Sequence, residues 1–171
     1  MITEQIYTGC LAHGAYYIES NGEAAIIDPL RDIDVYVRLA KERKTTIKYI
    51  FETHFHADFV SGHLDLAAAT GATIVYGPNT HAKFALHVAK DGEQFKIGNI
   101  TIEVLHTPGH TLESSCYLLK DENGKVVEVL KVAADVTEAK DKLVTLDAAF
   151  SAISRSMAVI EFSPEGEILH A

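Results

Sequence analysis

Thr53-His54-Phe55-His56-Ala57-Asp58 decides the reading of this chain, and Thr107-Pro108-Gly109-His110 completes it. The run Ile47-Lys48-Tyr49-Ile50-Phe51 just before the first stretch is β-branched and aromatic, the composition of a buried strand. If the backbone stays extended beyond that strand, His54 and His56 project to one side, because side chains alternate with a period of two. A His-x-His pair is then a two-pronged claw on a rigid stem. Pro108-Gly109 supplies a tight turn after a strand over 100–105 and can present His110 as a third imidazole. Three imidazoles with the carboxylate of Asp58 are what a catalytic transition metal needs. Neutral imidazole suits zinc, iron and manganese, and an open coordination position makes such a site reactive.

Other histidines lack that context. His13, His81, His87, His106 and His170 stand alone in the sequence and are read as surface or satisfied core residues. His63 follows Ser61-Gly62 and opens a helix, so it is expected to cap that helix or to support a ligand from behind.

A chain of 171 residues with 47% hydrophobic content has enough apolar material for one domain and its core. The net charge of −9 disfavours nucleic acid or an anionic membrane as partner, because both reward clustered Lys and Arg. Lys41-Glu42-Arg43-Lys44 reads as the solvated end of a helix. No apolar run approaches the ~20 residues of a membrane helix. The start Met1-Ile2-Thr3-Glu4-Gln5 carries neither a basic nor an apolar leader, and two cysteines, Cys10 and Cys116, make no disulfide framework. A cytoplasmic protein is expected.

Hydrophobic periodicity predicts strands over 5–8 and 15–20, a turn at Asn21-Gly22, a strand over 24–27 and a helix over 33–44. A strand over 47–51, a helix over 63–70 stopped by Gly71 and a strand over 73–76 follow. A helix is expected near 80–89. Strands over 94–97 and 100–105 turn at Gly98-Asn99, and a strand over 115–119 comes next. Interleaved strands and helices indicate an α/β architecture. Beyond Asp121 the texture changes: a turn at Asn123-Gly124, a strand over 126–134, a polar helix over 137–156 and short strands over 157–162 and from 167.

The two histidine motifs resemble those of the metallo-β-lactamase superfamily. Over residues 1 to about 119 the chain looks most like its persulfide dioxygenase-related branch, often fused to rhodanese domains. The resemblance implies an α/β fold, an αββα sandwich with a metal at one edge. The superfamily motif usually continues Asp-His, whereas Asp58 here is followed by Phe59, which cannot ligate a metal. That departure argues against a second ion. The branch implies one iron held by two histidines and an aspartate, which by motif would be His54, His110 and Asp135, with His56 and Asp58 facing the substrate or supporting the ligands. That set matches the facial triad of non-haem iron.

Residues 120–171 resemble segments of PAS sensory domains of chemotaxis-type receptors, which gives Asp135 a second explanation, as a cap on the following helix. On this reading the sandwich is incomplete in its C-terminal half, so the tail strands cover the exposed sheet, a second copy supplies the cover by strand exchange, or the domain is marginal. Two enzymatic functions compete. One is an Fe(II) dioxygenase acting on a glutathione persulfide. The other is a Zn(II) hydrolase of thioesters, lactones or esters, in which His54, His56 and His110 bind the ion and Asp58 accepts a proton or holds a weak second ion. A third reading is a metal-binding chain without turnover.

Overall fold

The computed structural model describes residues 1–11 and 13–130, and the backbone of 161–162 and 168–170. It divides into two compact units, Met1–Val132 and Ala133–Ala171. In the first, strands β1 (Ile2–Thr8), β2 (His13–Ser20), β3 (Glu23–Ile27), β4 (Thr46–Phe51), β5 (Thr73–Tyr76) and β6 (His87–Val88) form one sheet in sequence order. Strands β7 (Gln94–Ile97), β8 (Ile100–His106), β9 (Ser115–Lys120) and β10 (Val126–Leu130) form the other, in the order β10-β9-β8-β7. In the second unit, β11 (Glu161–Phe162) pairs with β12 (Ile168–His170).

The pattern of side chains explains the layering. In β3, Ala25 and Ile27 join Ile18, Phe51 and Val75 in facing the second sheet, where Phe95, Ile97, Ile102, Val104, Tyr117 and Leu119 meet them. The alternate residues Ala24 and Ile26, with Tyr17, Ile50 and Ile74, face the helices α1 (Asp34–Arg43) and α2 (His63–Thr70) through Tyr36, Ala40 and Leu66. Strands buried on both faces read as near-continuous apolar runs, and β3 and β5 do. In the second sheet β7 and β8 alternate buried and exposed residues. Among the described residues, helices cover the first sheet alone, giving an α/β/β order.

Local chemistry sets the direction changes. Asn21 (φ 49°) and Gly22 (φ 78°) both adopt positive φ, the geometry of a tight hairpin turn whose twist matches its strands. After β3 the chain crosses over through α1, so β3, β4, β5 and β6 run parallel. Their carboxyl ends therefore share one edge, where open α/β sheets place their ligands.

One expectation needs correction. The segment expected as a helix near 80–89 instead ends in β6, with Phe84 and Leu86 both directed at the helix-side core and Ala89 N–H donating to Tyr76 O at 2.8 Å. Apolar residues two apart and a free sheet edge outweigh helix propensity there. The hairpin after residue 120 pairs β10 with β9, and the first compact unit runs to Val132. Of the longer strand expected over 126–134, Val126–Leu130 is described, as β10, and residues 131–134 lie outside the described residues. Asp135, the helix over 137–156 and most of the PAS-like tail lie outside the described residues.

Candidate metal site

The loop after β4 is fastened before it is functional. Tyr117 Oη donates to Glu52 O at 2.6 Å, Ser115 N–H to Thr53 O at 2.9 Å, and Glu52 N–H to Val75 O at 3.0 Å. Both sheets thus grip the two peptides ahead of His54. Farther along, Phe55 N–H donates to Glu113 Oε1 at 2.9 Å, tying this loop to the one that follows β8. Burial alone would raise the Glu113 carboxyl. The N–H groups of Phe55 and Glu113 itself and the Thr111 hydroxyl outweigh it and hold the group below its ordinary range.

The rings converge. The His54 and His56 centroids are 4.2 Å apart, and those of His54 and His110 are 4.9 Å apart, so imidazoles from two loops fifty residues distant in sequence share one small volume. Asp58 is 74% exposed, with Oδ1 3.9 Å from His56 Nδ1. Asp135 is not described.

Behind the rings lies a layer that the sequence did not reveal. Asp28 follows β3 with a left-handed backbone (φ 50°) and is 2% exposed. Its Oδ1 accepts Thr53 N–H and its Oδ2 accepts the Thr53 hydroxyl, each at 2.7 Å. That hydroxyl has spent its one proton, so the contact of 2.9 Å to His54 Nδ1 requires His54 Nδ1–H as donor. The lone pair of neutral His54 is then on Nε2. Burial pushes the His54 pKa down, with His56 acting in the same direction, so the neutral form is favoured.

His56 is held the other way round. Its Nε2 lies 3.1 Å from Asp28 Oδ1 and 3.4 Å from Glu52 Oε2, both off the axis of a good hydrogen bond, while Nδ1 points outward towards Asp58. Asp28, Glu52 and His56 form the tightest group of ligand-type atoms among the described residues, all within 4.8 Å of one another. These carboxylates lie on the Nε2 side of His56, opposite the Nδ1 that turns towards Asp58. Glu52 is fully buried, and burial followed by the Asp28 charge pushes its pKa well up. Two carboxylates around one imidazole nitrogen are suited to orienting it. On the outward side His54 Nε2 and His56 Nδ1 make no hydrogen bond among the described residues, and the His110 ring lies next to that of His54; imidazole nitrogens of this kind suit a transition metal.

Two further histidines belong to this neighbourhood. His63 Nδ1 is 3.6 Å from Glu52 Oε1, and its ring packs on Phe84 and Tyr76 at 5.1 and 5.9 Å. The helix start is served by Ser61 instead, whose Oγ accepts His63 N–H at 3.3 Å. His13 departs from the expected satisfied residue: it is buried with neither ring nitrogen partnered, and stacks on Phe59 at 4.1 Å. Phe59 lies 4.3 Å from His56, so its ring packs against both histidines. Burial lowers the pKa of His13 and of His63.

A family model of the metallo-β-lactamase superfamily matches residues 8–127. The chain belongs to the metallo-β-lactamase superfamily. Membership implies bound metal ions, and the match continues through Asp121–Val127, part of the stretch likened above to a PAS domain. A probable hydroxyacylglutathione hydrolase of Schizosaccharomyces pombe is 32% identical over 128 residues, 71% of this chain and 49% of that protein. The hydroxyacylglutathione hydrolase of Methylococcus capsulatus is 35% identical over 104 residues, 60% of this chain and 40% of that protein. The chain therefore spans about half the length, or less, of these curated relatives. Among solved structures, a metallo-beta-lactamase from Staphylococcus aureus subsp. aureus COL is 38% identical with a TM-score of 0.68, covering 75% of this chain and 41% of that one. ETHE1 from Myxococcus xanthus is 32% identical with a TM-score of 0.65, covering 70% and 54%. Among the described residues no helix is long and apolar enough to cross a membrane.

Proposed function

We propose that this superfamily member is a metal-dependent thioester hydrolase acting on acylated small thiols of the glutathione type, with zinc as the metal. The observation that carries the reading is the convergence of His54, His56 and His110, with lone pairs turned away from the supporting carboxylates. The relatives named hydroxyacylglutathione hydrolase supply the substrate class.

His54 Nε2, His56 Nδ1 and His110 would hold the ion. A zinc ion bound there acidifies water to a pKa of about 7 and polarises a carbonyl. Asp58, exposed and 3.9 Å from His56, takes the proton of the attacking water and delivers it to the departing thiolate. Asp28 keeps the Thr53–His54 pair in register, so the nitrogen that faces the ion carries no proton. Water adds to the thioester carbonyl, the C–S bond breaks, and an acid and a free thiol leave.

The iron dioxygenase reading stands second, favoured by Phe59 at the position where the superfamily motif has a histidine. Its carboxylate, Asp135, lies outside the described residues. Protein purified anaerobically, analysed for metal and then given S-lactoylglutathione or glutathione persulfide, separates the two. Zinc with thiol release supports the hydrolase. Iron with oxygen uptake on the persulfide and no thioester cleavage overturns it.

A further inference from the structure

We propose that Glu52 is a positioning residue dedicated to His56, so that each imidazole on the loop has its own carboxylate. This rests on the reading of His54 and His56 as metal ligands. Asp28 is already committed: its two oxygens accept the Thr53 N–H and hydroxyl at 2.7 Å each, and through that hydroxyl it fixes His54. Its contact with His56 Nε2 is therefore shared and off-axis. Glu52 Oε2, 3.4 Å from the same nitrogen, has no hydrogen-bond partner among the described residues and is wholly buried. A sub-ångström adjustment of either side chain makes it the acceptor for His56 Nε2–H, which places the His56 lone pair on Nδ1.

The other oxygen of Glu52 is fixed independently. Ser61 Oγ lies 2.5 Å from Glu52 Oε1 and 3.0 Å from Pro29 O, and it accepts the first N–H of α2, that of His63. Ser61 donates to Glu52 Oε1 at the shorter of these two distances, so that oxygen is held as an acceptor. Glutamine keeps a carbonyl oxygen for His56 Nε2–H and can turn its amide N–H to Ser61 Oγ, whose proton then goes to Pro29 O. Leucine has a similar size and reproduces none of it. Glu52 thus links the orientation of a ligand ring to the start of α2 and to the residues following β3. Partners of this kind, when removed, weaken metal binding by about 10–100-fold.

The full chain is titrated with zinc chloride against a chelating dye, as wild type, Glu52→Gln and Glu52→Leu. In parallel, 15N-histidine NMR of the metal-free proteins reads the tautomer of His56. Glu52→Leu should weaken zinc binding by about 10–100-fold and convert His56 from a single Nε2–H tautomer to a mixture, whereas Glu52→Gln keeps both properties close to wild type. A merely structural glutamate would lower the melting temperature in both variants without moving the tautomer, and that result overturns the proposal. So does Glu52→Leu with wild-type zinc affinity. Should Glu52→Leu not fold, Ser61→Ala frees Oε1 and should broaden the His56 tautomer signal, an unchanged signal being contrary. Wild type that binds zinc but leaves thioesters intact would sink the hydrolase reading alone, since titration and tautomer still judge Glu52.

Discussion

Ser115 donates its backbone N–H to the carbonyl oxygen of Thr53 across 2.9 Å, so the first residue of β9 holds the peptide immediately before His54. Next to it, Tyr117 holds the peptide before that one. The ligand loop leaves one sheet and is clamped by the other, which makes the position of the claw a property of sandwich packing.

Tyr117→Phe tests the clamp. The change removes one hydrogen bond to Glu52 O and leaves a buried carbonyl short of a donor, which costs about 1–3 kcal/mol. Denaturant unfolding should show a lower midpoint with an unchanged slope, and zinc affinity should fall with it. Full stability in the variant would show that the clamp is idle.

Gly62→Ala tests the close approach of the loop to the residues after β3. A Cβ at Gly62 would lie 2.2 Å from Leu30 O and 2.8 Å from Ile33 Cγ2, beside the bridge between Leu30 and Ser61. Backbone must move, and overpacking of this kind costs about 1–3 kcal/mol. Thermal unfolding would record the loss, and an unshifted melting temperature would contradict the contact.

Much of this was legible beforehand. α2 and β5 fall on their expected residues, because Gly71 (φ 74°) stops the helix and Thr73–Tyr76 is a short apolar strand. The nearness of His54 and His56 was legible too, although the chain bends at Thr53–His54 and does not continue the strand. The layer behind was not. Asp28 and Glu52 stand at the ends of neighbouring strands, twenty-four positions apart, and only the parallel pairing of β3 with β4 brings them together. A carboxylate that closes an apolar strand is the one signal the sequence offers for this layer. His13 was missed for a similar reason: β2 carries it to the site from a segment with no motif of its own.

Phe59→His tests what Phe59 excludes. Its ring packs against both His13 and His56, at 4.1 and 4.3 Å. An imidazole there would add a ligand beside Asp58. Zinc content by mass spectrometry should rise from about one to about two ions per chain, the arrangement of two-metal sites. Unchanged content would mean that Phe59 is not what limits the count.

Acid should weaken the metal-free protein through its buried histidines. Burial holds His63 and His54 below their ordinary pKa, so the unfolded chain takes up protons first as pH falls. Their contribution is complete above about pH 6.5 and is lost as pH drops through the lower folded values. Glu52, whose pKa is raised, acts with the opposite sign: its share is complete below the unfolded carboxylate range and declines as pH rises. A difference isolates His63. Melting temperatures of wild type and His63→Leu, measured with chelator from pH 7.5 to 5, should show a shallower acid loss in the variant, and parallel curves would refute the assignment.

Asp28 adopts φ 50° while its two oxygens take the Thr53 protons. Few side chains tolerate that backbone, chiefly Gly, Asn and Asp. Glycine brings no oxygen and asparagine brings one, so the strand's exit angle and the wiring of the histidines independently select the same residue. A lineage drifting at this codon would have to rebuild two unrelated features in a single step.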